Sequence, residues 1–119
     1  MKLYFIFAIC ILNFNSFASE QPQATGCKDV KVEDCVEFQG RARAYMGRAE
    51  TRIWKIGSNR LFAVREKTSD ADKALSQVNF HQDVFGKFRV CPTSKYVKGE
   101  MQLVCVEKVS KVTIKPTGQ

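Results

Sequence analysis

Histidine is nearly missing from this chain, since His81 is the only one among its 119 residues. General bases, activated nucleophiles and zinc sites most often depend on this side chain. The sequence also lacks a Cys-x-x-Cys spacing, a serine in an elbow motif and a prominent pair of carboxylates. The members of a Ser/His/Asp triad can lie far apart in sequence, but His81 stands in a polar connector, where a solvated side chain is the ordinary outcome. We therefore expect no catalytic residues, no metal, no cofactor and no enzymatic activity.

Long apolar runs are missing after residue 18. Residues 1–18 combine the features of a secretory signal peptide: Lys2, an apolar run over 3–12, and small residues at Ser16 and Ala18 before the predicted cleavage site. The apolar run is shorter than the roughly 20 residues that span a bilayer. We expect an exported protein, periplasmic or extracellular, with no transmembrane segment once the signal is removed. The alternative is an uncleaved N-terminal anchor.

Four cysteines follow the predicted signal peptide, at Cys27, Cys35, Cys91 and Cys105. An even number in a small exported domain is typical of disulfides rather than of free thiols. We expect two disulfides, for which three pairings are available.

The last two predicted strands favour one of these pairings. Placing Cys91 opposite Cys105 in an antiparallel pair sets valine against valine on one face and Arg89 against Glu107 on the other. Cross-strand pairs of this kind stabilise a register. We therefore predict a Cys91–Cys105 bridge, and the first two cysteines then pair with each other by elimination.

Most of the remaining sequence alternates between apolar and polar residues, which is typical of half-buried β-strands. The predicted strands are 36–45, 51–56, 60–66, 84–91 and 101–107, with a further alternating run at 109–114 and a helix within 68–79. Small residues at Gly40, Ala42 and Ala44 suit a strand that bends sharply where a barrel closes.

The resulting order, β-β-β-α-β-β, resembles the oligonucleotide/oligosaccharide-binding (OB) fold, a five-stranded barrel with a helix between strands three and four. We predict a mainly β protein with an OB-like barrel at 35–115, between an N-terminal arm at 19–34 and a tail at 116–119. The alternative is an open, curled sheet with a helix across it.

Three sequence blocks carry a family resemblance: RIWKIGSNR (52–60), FGKFRVCP (85–92) and GEMQLVCVE (99–107). They resemble blocks in a group of small exported, uncharacterised bacterial proteins that have a signal peptide and a cysteine pair on the last two strands. The resemblance covers most of 36–107. It implies a bacterial envelope location and supports the barrel. No activity is assigned to the group, so the resemblance identifies no functional residues in this chain.

Acidic residues are scarce between Arg41 and Lys67, where eight basic residues stand against two acidic ones. The rest of the chain after residue 18 is balanced, so the excess charge favours a local patch. The candidate ligand-binding residues are Arg41, Arg43, Tyr45, Arg52, Trp54, Arg60, Phe62 and Tyr96. Interleaved basic and aromatic side chains suit stacking together with contacts to phosphate or carboxylate groups. The alternative is that Trp54 and Phe62 fill the barrel.

We predict a binding protein that contacts an anionic envelope polymer or an acidic protein through the basic strands. Single-stranded nucleic acid fits the same chemistry but is disfavoured by the compartment. The alternative function is a protein-interaction or inhibitor module that uses the loop at 93–100, where Tyr96 lies between lysines. The sequence does not determine the oligomeric state.

Overall fold

The computed structural model describes residues 26–45 and 50–118, and the predicted signal peptide lies outside these ranges. The elements are a 3₁₀ turn at Val32–Asp34, β1 (Val36–Tyr45), β2 (Glu50–Lys55), β3 (Leu61–Lys67), α1 (Ser69–Leu75), β4 (Gln82–Pro92) and β5 (Gln102–Pro116). The predicted order is confirmed. The alternating run predicted at 109–114 continues β5 rather than forming a separate strand, and the helix is shorter than predicted.

The five strands form a closed barrel in the order β1-β2-β3-β5-β4, with β4 pairing back onto β1. All neighbours are antiparallel except β3 and β5. Closure depends on the small residues of β1, as predicted. A Cβ atom built on Gly40 would lie 2.9 Å from a ring carbon of Phe88 and 3.1 Å from the side chain of Ile53. The adjacent inner position holds Ala42, which is fully buried.

Three phenylalanines occupy the barrel interior: Phe62 and Phe88 lie 5.3 and 6.4 Å from Phe38 between ring centroids. Helix α1 covers one end of the barrel with Ala71 and Leu75, which belong to the same core cluster. Each large apolar side chain buried in this way contributes on the order of 2 kcal/mol. Phe62, a candidate binding residue, is only 4% exposed and is therefore part of the core.

Thr68 caps the N-terminus of the helix. Its hydroxyl accepts a hydrogen bond of 3.1 Å from the backbone N–H of Ala71. Thr68 also donates its hydroxyl proton to the backbone carbonyl of Glu107, at 2.7 Å. The cap therefore fixes the end of β3 against β5 as well as starting the helix.

The predicted disulfide pairing is wrong, although the predicted cross-strand alignment of the cysteines is correct. Cys91 lies opposite Cys105 between β4 and β5, but the bridges are Cys27–Cys105 and Cys35–Cys91. The N-terminal segment crosses the face on which both strand cysteines project, so each of them meets a cysteine from that segment instead of its neighbour. Cys27, Cys91 and Cys105 form one buried cluster.

This pairing ties together residues that are far apart in sequence. The bridges span 78 and 56 residues, whereas the predicted ones would have closed short loops. On the chain-entropy model a loop of either length stabilises by about 4 kcal/mol, although nested loops do not add in full. Disulfides are typical of an oxidising, exported compartment. Among the described residues, no helix is long and apolar enough to cross a membrane.

Candidate binding surface

The outer face of β1, β2 and β3 holds most of the predicted binding residues. The register pairs Arg41 with Trp54 and Arg43 with Arg52, and Trp54 in turn pairs with Leu61. Side chains alternate across a strand, so these residues share the face opposite the buried Ile53 and Ala42. The row formed by Arg41, Trp54 and Leu61 crosses three strands.

Arg43 is held in an ion pair with Asp83 of β4. Its Nη2 lies 2.7 Å from Oδ2, and its Nε lies 3.1 Å from both carboxylate oxygens. Asp83 is 1% exposed and also accepts a hydrogen bond of 2.8 Å from the hydroxyl of Thr117. Arg43 therefore joins β1 to β4 and to the C-terminal segment.

The surroundings of Asp83 decide its ionisation. Burial alone would raise the pKa of this carboxyl, but hydrogen bonds from Arg43 and Thr117 and the positive charges of Arg43 and Arg41 outweigh it and hold the pKa below its usual value. The same ion pair raises the pKa of Arg43. The charge of Arg43 is therefore neutralised within the protein.

Arg52, which lies opposite Arg43 on β2, has a similar arrangement. Its Nε donates to Glu50 Oε2 at 2.7 Å, and its guanidinium carbon lies 4.5 Å from the ring centroid of Tyr45. Half-buried Glu50 thus offsets the charge of Arg52. We refer to Arg43, Arg52, Glu50 and Asp83 as the paired cluster.

Arg41 has different surroundings. Its guanidinium carbon lies 5.0 Å from the ring centroid of Trp54, a cation–π contact. The Trp54 indole N–H donates to the backbone carbonyl of Ser58 at 2.8 Å, which fixes the ring. The Nε of Arg41 is buried and has no hydrogen-bond acceptor among the residues that the structure describes. Arg41 and Trp54 line a recess of about 340 Å³ together with Asn59 and Leu61.

Arg60 extends this arrangement to the β4–β5 loop. Its guanidinium carbon lies 4.8 Å from the ring of Phe62 and 4.5 Å from that of Tyr96, and its Nη2 donates to Gln102 at 2.9 Å. Tyr96 is 55% exposed. The guanidinium thus joins the loop that contains Tyr96 to the end of the barrel interior, where the ring of Phe62 lies.

A second recess, of about 440 Å³, adjoins the first because Asn59 and Leu61 line both. Arg60, Tyr96 and Lys98 also line it, and Glu100 is the one carboxylate on its wall among the described residues. Within 26–45 and 50–118, none of the three cations Arg41, Arg60 and Lys98 forms an ion pair. We refer to Arg41, Trp54, Arg60 and Tyr96 as the stacked surface.

The structure therefore divides the eight candidate residues. Four of them form the stacked surface, Phe62 lies in the core, and Arg43, Arg52 and Tyr45 belong to or contact the paired cluster. Sequence reasoning missed Asp83, Asn59 and Leu61. Leu61 could have been found, since a tight hairpin between the second and third strands sets it opposite Trp54.

His81 is exposed and lies in the connector between α1 and β4. Its backbone N–H donates to the Asn79 side chain at 2.8 Å, and its carbonyl accepts from the Thr117 N–H at 3.0 Å. No group of three or more potential ligands in the described part of the chain is placed to hold a metal ion.

No family model, curated protein or solved structure matches the chain. The barrel implied by the resemblance of the three sequence blocks is present, whereas the implied bridge between the last two strands is not. Any proposal about function therefore depends on the geometry of the stacked surface.

Proposed function

We propose that this protein is a small exported binding protein, and that its stacked surface contacts an anionic polymer of the bacterial envelope or an acidic protein. The observation that carries the proposal is Arg41. Its guanidinium is stacked on Trp54 beside a recess, and its buried Nε lacks an acceptor within the described chain. An unsatisfied buried donor costs about 1–3 kcal/mol, and this penalty is removed when the side chain turns toward an anionic oxygen.

Charge and stacking support the same proposal. Arg41, Arg60 and Lys98 border the two recesses, with Glu100 as the one acidic neighbour among described residues. A guanidinium stacked on a ring keeps its in-plane N–H donors available for a carboxylate or phosphate. Such a surface gains both a charge-assisted hydrogen bond and a stacking contact from one ligand.

The spacing of the cations favours a polymer over a single small anion. Arg41 and Leu61 lie two strands apart, which corresponds to roughly 10 Å, and Arg60 adjoins Leu61 in the chain. The two recesses are open to solvent and share Asn59 and Leu61 in their walls. A ligand that carries repeated anionic groups along a chain can therefore occupy both cations at once.

Trp54 supplies the measurement, because it is the only tryptophan in the chain. We expect its fluorescence to change when hyaluronan or polyglutamate is titrated into the protein. Affinity should fall about tenfold or more between low and physiological salt. Arg41→Gln should weaken binding roughly 10- to 100-fold, the effect of one charge-assisted hydrogen bond.

Arg65→Gln is the matched control. It makes the same charge change at an exposed position of β3 that lines neither recess, so we expect less than about a twofold effect. Equal losses in the two variants would show that only net charge matters and would refute the stacked surface as the site. Tighter binding of oligothymidylate than of either polymer would replace the proposal with single-stranded nucleic-acid binding.

The second candidate function, a protein-interaction or inhibitor module, is favoured by one observation. Tyr96 and Val97 are 55% and 46% exposed side by side at the tip of the β4–β5 loop. Binding through this tip should persist in high salt and be lost in Val97→Ser, because apolar contacts are not screened by ions. Arg41→Gln should leave such binding unchanged. Tyr96→Ala does not separate the two functions, because Tyr96 also stacks on Arg60.

A further inference from the structure

The four cysteines at 27, 35, 91 and 105 pack together in one cluster. Cys91 and Cys105 lie directly opposite each other on β4 and β5, and both are almost fully buried. Cys27 packs against this pair, and partly buried Cys35 contacts the same cluster. Four sulfur atoms that share two bonds within one cluster can be paired in more than one way.

The two strands already hold Cys91 and Cys105 at a distance that suits a bridge. Residues directly opposite in an antiparallel pair have Cα atoms about 4.5 or 5.5 Å apart. Disulfides form at Cα separations of roughly 4.4–6.8 Å. Opposed side chains also project from the same face of the sheet. A bond between the two strand cysteines therefore requires no rearrangement of β4 or β5.

Each strand cysteine is instead bonded to the N-terminal segment, and the four sulfur atoms differ in their access to solvent. Cys91 and Cys105 are 0% and 1% exposed, and Cys27 is 8% exposed. Cys35 is only partly buried, and its Sγ lies 3.8 Å from the Lys31 carbonyl in an exposed part of the segment. A thiol from solution therefore reaches Cys35 more readily than the other three.

We propose that this cluster is a thiol-exchange site, at which the two bridges convert to Cys91–Cys105 and Cys27–Cys35. The co-reactant is a small external thiol. Its thiolate is the attacking species, as in any exchange between a thiol and a disulfide. The inference goes beyond the proposed function and does not depend on what the stacked surface binds.

Three exchanges complete the conversion, and each one breaks one S–S bond and forms another. The external thiolate attacks Cys35 Sγ, forms a mixed disulfide and releases the Cys91 thiolate. The Cys91 thiolate attacks Cys105 Sγ across the strand pair and releases the Cys27 thiolate. The Cys27 thiolate then attacks Cys35 Sγ and returns the external thiolate. The number of disulfides is unchanged, so the thiol is a catalyst and no electrons are transferred overall.

The exchange changes how the N-terminal segment is held. In the structure, the bridges at Cys27 and Cys35 tie residues 27–35 to β4 and β5. After the exchange, neither bridge connects this segment to the barrel. The segment forms one wall of a recess of about 510 Å³, and the β4–β5 loop with Tyr96 forms the other. Release of the segment therefore uncovers the side of Tyr96 that lines this recess.

Disulfide mapping of the native, fully oxidised protein tests the exchange. The protein is incubated near pH 8 with about a tenth of an equivalent of 2-mercaptoethanol, quenched in acid, digested with pepsin and analysed by mass spectrometry. We expect the Cys91–Cys105 and Cys27–Cys35 bridges to appear together, with no loss of total disulfide. Their rate of appearance should about double when the thiol concentration is doubled, because the first attack requires the thiol.

The third possible pairing, Cys27–Cys91 with Cys35–Cys105, serves as the internal control. Exchange within the folded cluster follows the strand register and should not populate this pairing. Reshuffling through the unfolded chain would produce it as well, and its appearance in a similar amount would overturn the proposal. An unchanged native pairing, with or without a mixed disulfide at Cys35, would overturn it too.

Cys35→Ala isolates the second step, because it leaves the Cys91 thiol beside the Cys27–Cys105 bridge. Attack on Cys105 moves the free thiol to Cys27. We expect N-ethylmaleimide, added after denaturation in acid, to label chiefly Cys27. Hydrogen exchange of the amides in 27–35 should be at least about tenfold faster than in the native protein, since the segment is released.

Cys27→Ala is the matched variant. It leaves the Cys105 thiol beside the Cys35–Cys91 bridge, so the same geometry should form Cys91–Cys105 and leave Cys35 free. Labelling confined to Cys91 in Cys35→Ala and to Cys105 in Cys27→Ala would overturn the proposal. The measurement on the native protein does not require either variant to fold.

Discussion

Arg41 and Arg43 stand two positions apart on the same face of β1, and their surroundings are opposite. Arg43 meets the buried carboxylate of Asp83, so its charge is neutralised and its side chain joins two strands. Arg41 lies on the ring of Trp54 with an N–H that has no acceptor in the described chain. The difference divides one basic stripe between an arginine that is neutralised within the protein and one that, under the proposed function, meets a ligand.

The same division extends across the sheet. Arg52 lies beside Glu50 in the paired cluster, whereas Arg60 lies between two aromatic rings in the stacked surface. Stability should therefore depend on the paired cluster, and affinity for anions on the stacked surface. Three experiments separate these properties.

The largest effect is expected from Asp83→Asn. Removing one partner of a buried ion pair costs about 3–5 kcal/mol, and we expect the lower end because the Arg43 side chain is 24% exposed and can reach water. Arg41→Gln should change the free energy of unfolding by less than about 1 kcal/mol, since it removes no ion pair. Urea denaturation followed by Trp54 fluorescence measures both. Similar losses in the two variants would contradict the division.

A pH series sharpens the assignment to Asp83. The folded protein holds the pKa of this carboxyl below its usual value. Its contribution to stability is thus complete above the unfolded pKa of about 3.9 and is lost as the pH falls through the lower folded pKa. The stability difference between the native protein and Asp83→Asn should therefore shrink as the pH falls below about 4. A difference that stays constant down to about pH 2 would assign the effect to packing rather than to charge.

The barrel could be predicted from the sequence because its causes are local. Alternation in each strand and small residues at Gly40 and Ala42 are properties of neighbouring residues, and both are confirmed. The alignment of Cys91 with Cys105 could be predicted for the same reason, since it follows from two adjacent strands. Their true partners could not be predicted, because the path of the N-terminal segment across the barrel has no local signal.

The roles of the arginines could not be predicted for a related reason. Asp83 lies 40 residues after Arg43 in the sequence, and the two meet because β4 pairs with β1 when the barrel closes. Tyr96 lies 36 residues after Arg60, and the two meet because the β4–β5 loop folds against Arg60. In the sequence, Asp83 comes just before the predicted strand at 84–91 and looks like any polar connector residue, although it lies within β4. The surplus of basic residues predicts a basic patch on these strands, but only the fold shows which of the charges are paired within the protein.

The smallest effect is expected from Glu50→Gln, which tests whether Arg52 can be freed from the paired cluster so that it acts together with the stacked surface. Glu50→Gln should change the free energy of unfolding by less than about 1 kcal/mol, because Glu50 and Arg52 are both partly exposed. It removes the carboxylate that offsets Arg52, so the affinity for hyaluronan should rise about two- to threefold at low salt.

Glu37→Gln makes the same charge change near the other end of β1, where Glu37 pairs with Lys87 at 3.4 Å. If both variants bind more tightly by the same factor, the gain comes from net charge and Arg52 stays outside the site. If only Glu50→Gln gains affinity, the released guanidinium has joined Arg41 and Arg60. In that case a single carboxylate separates a structural arginine from a binding one.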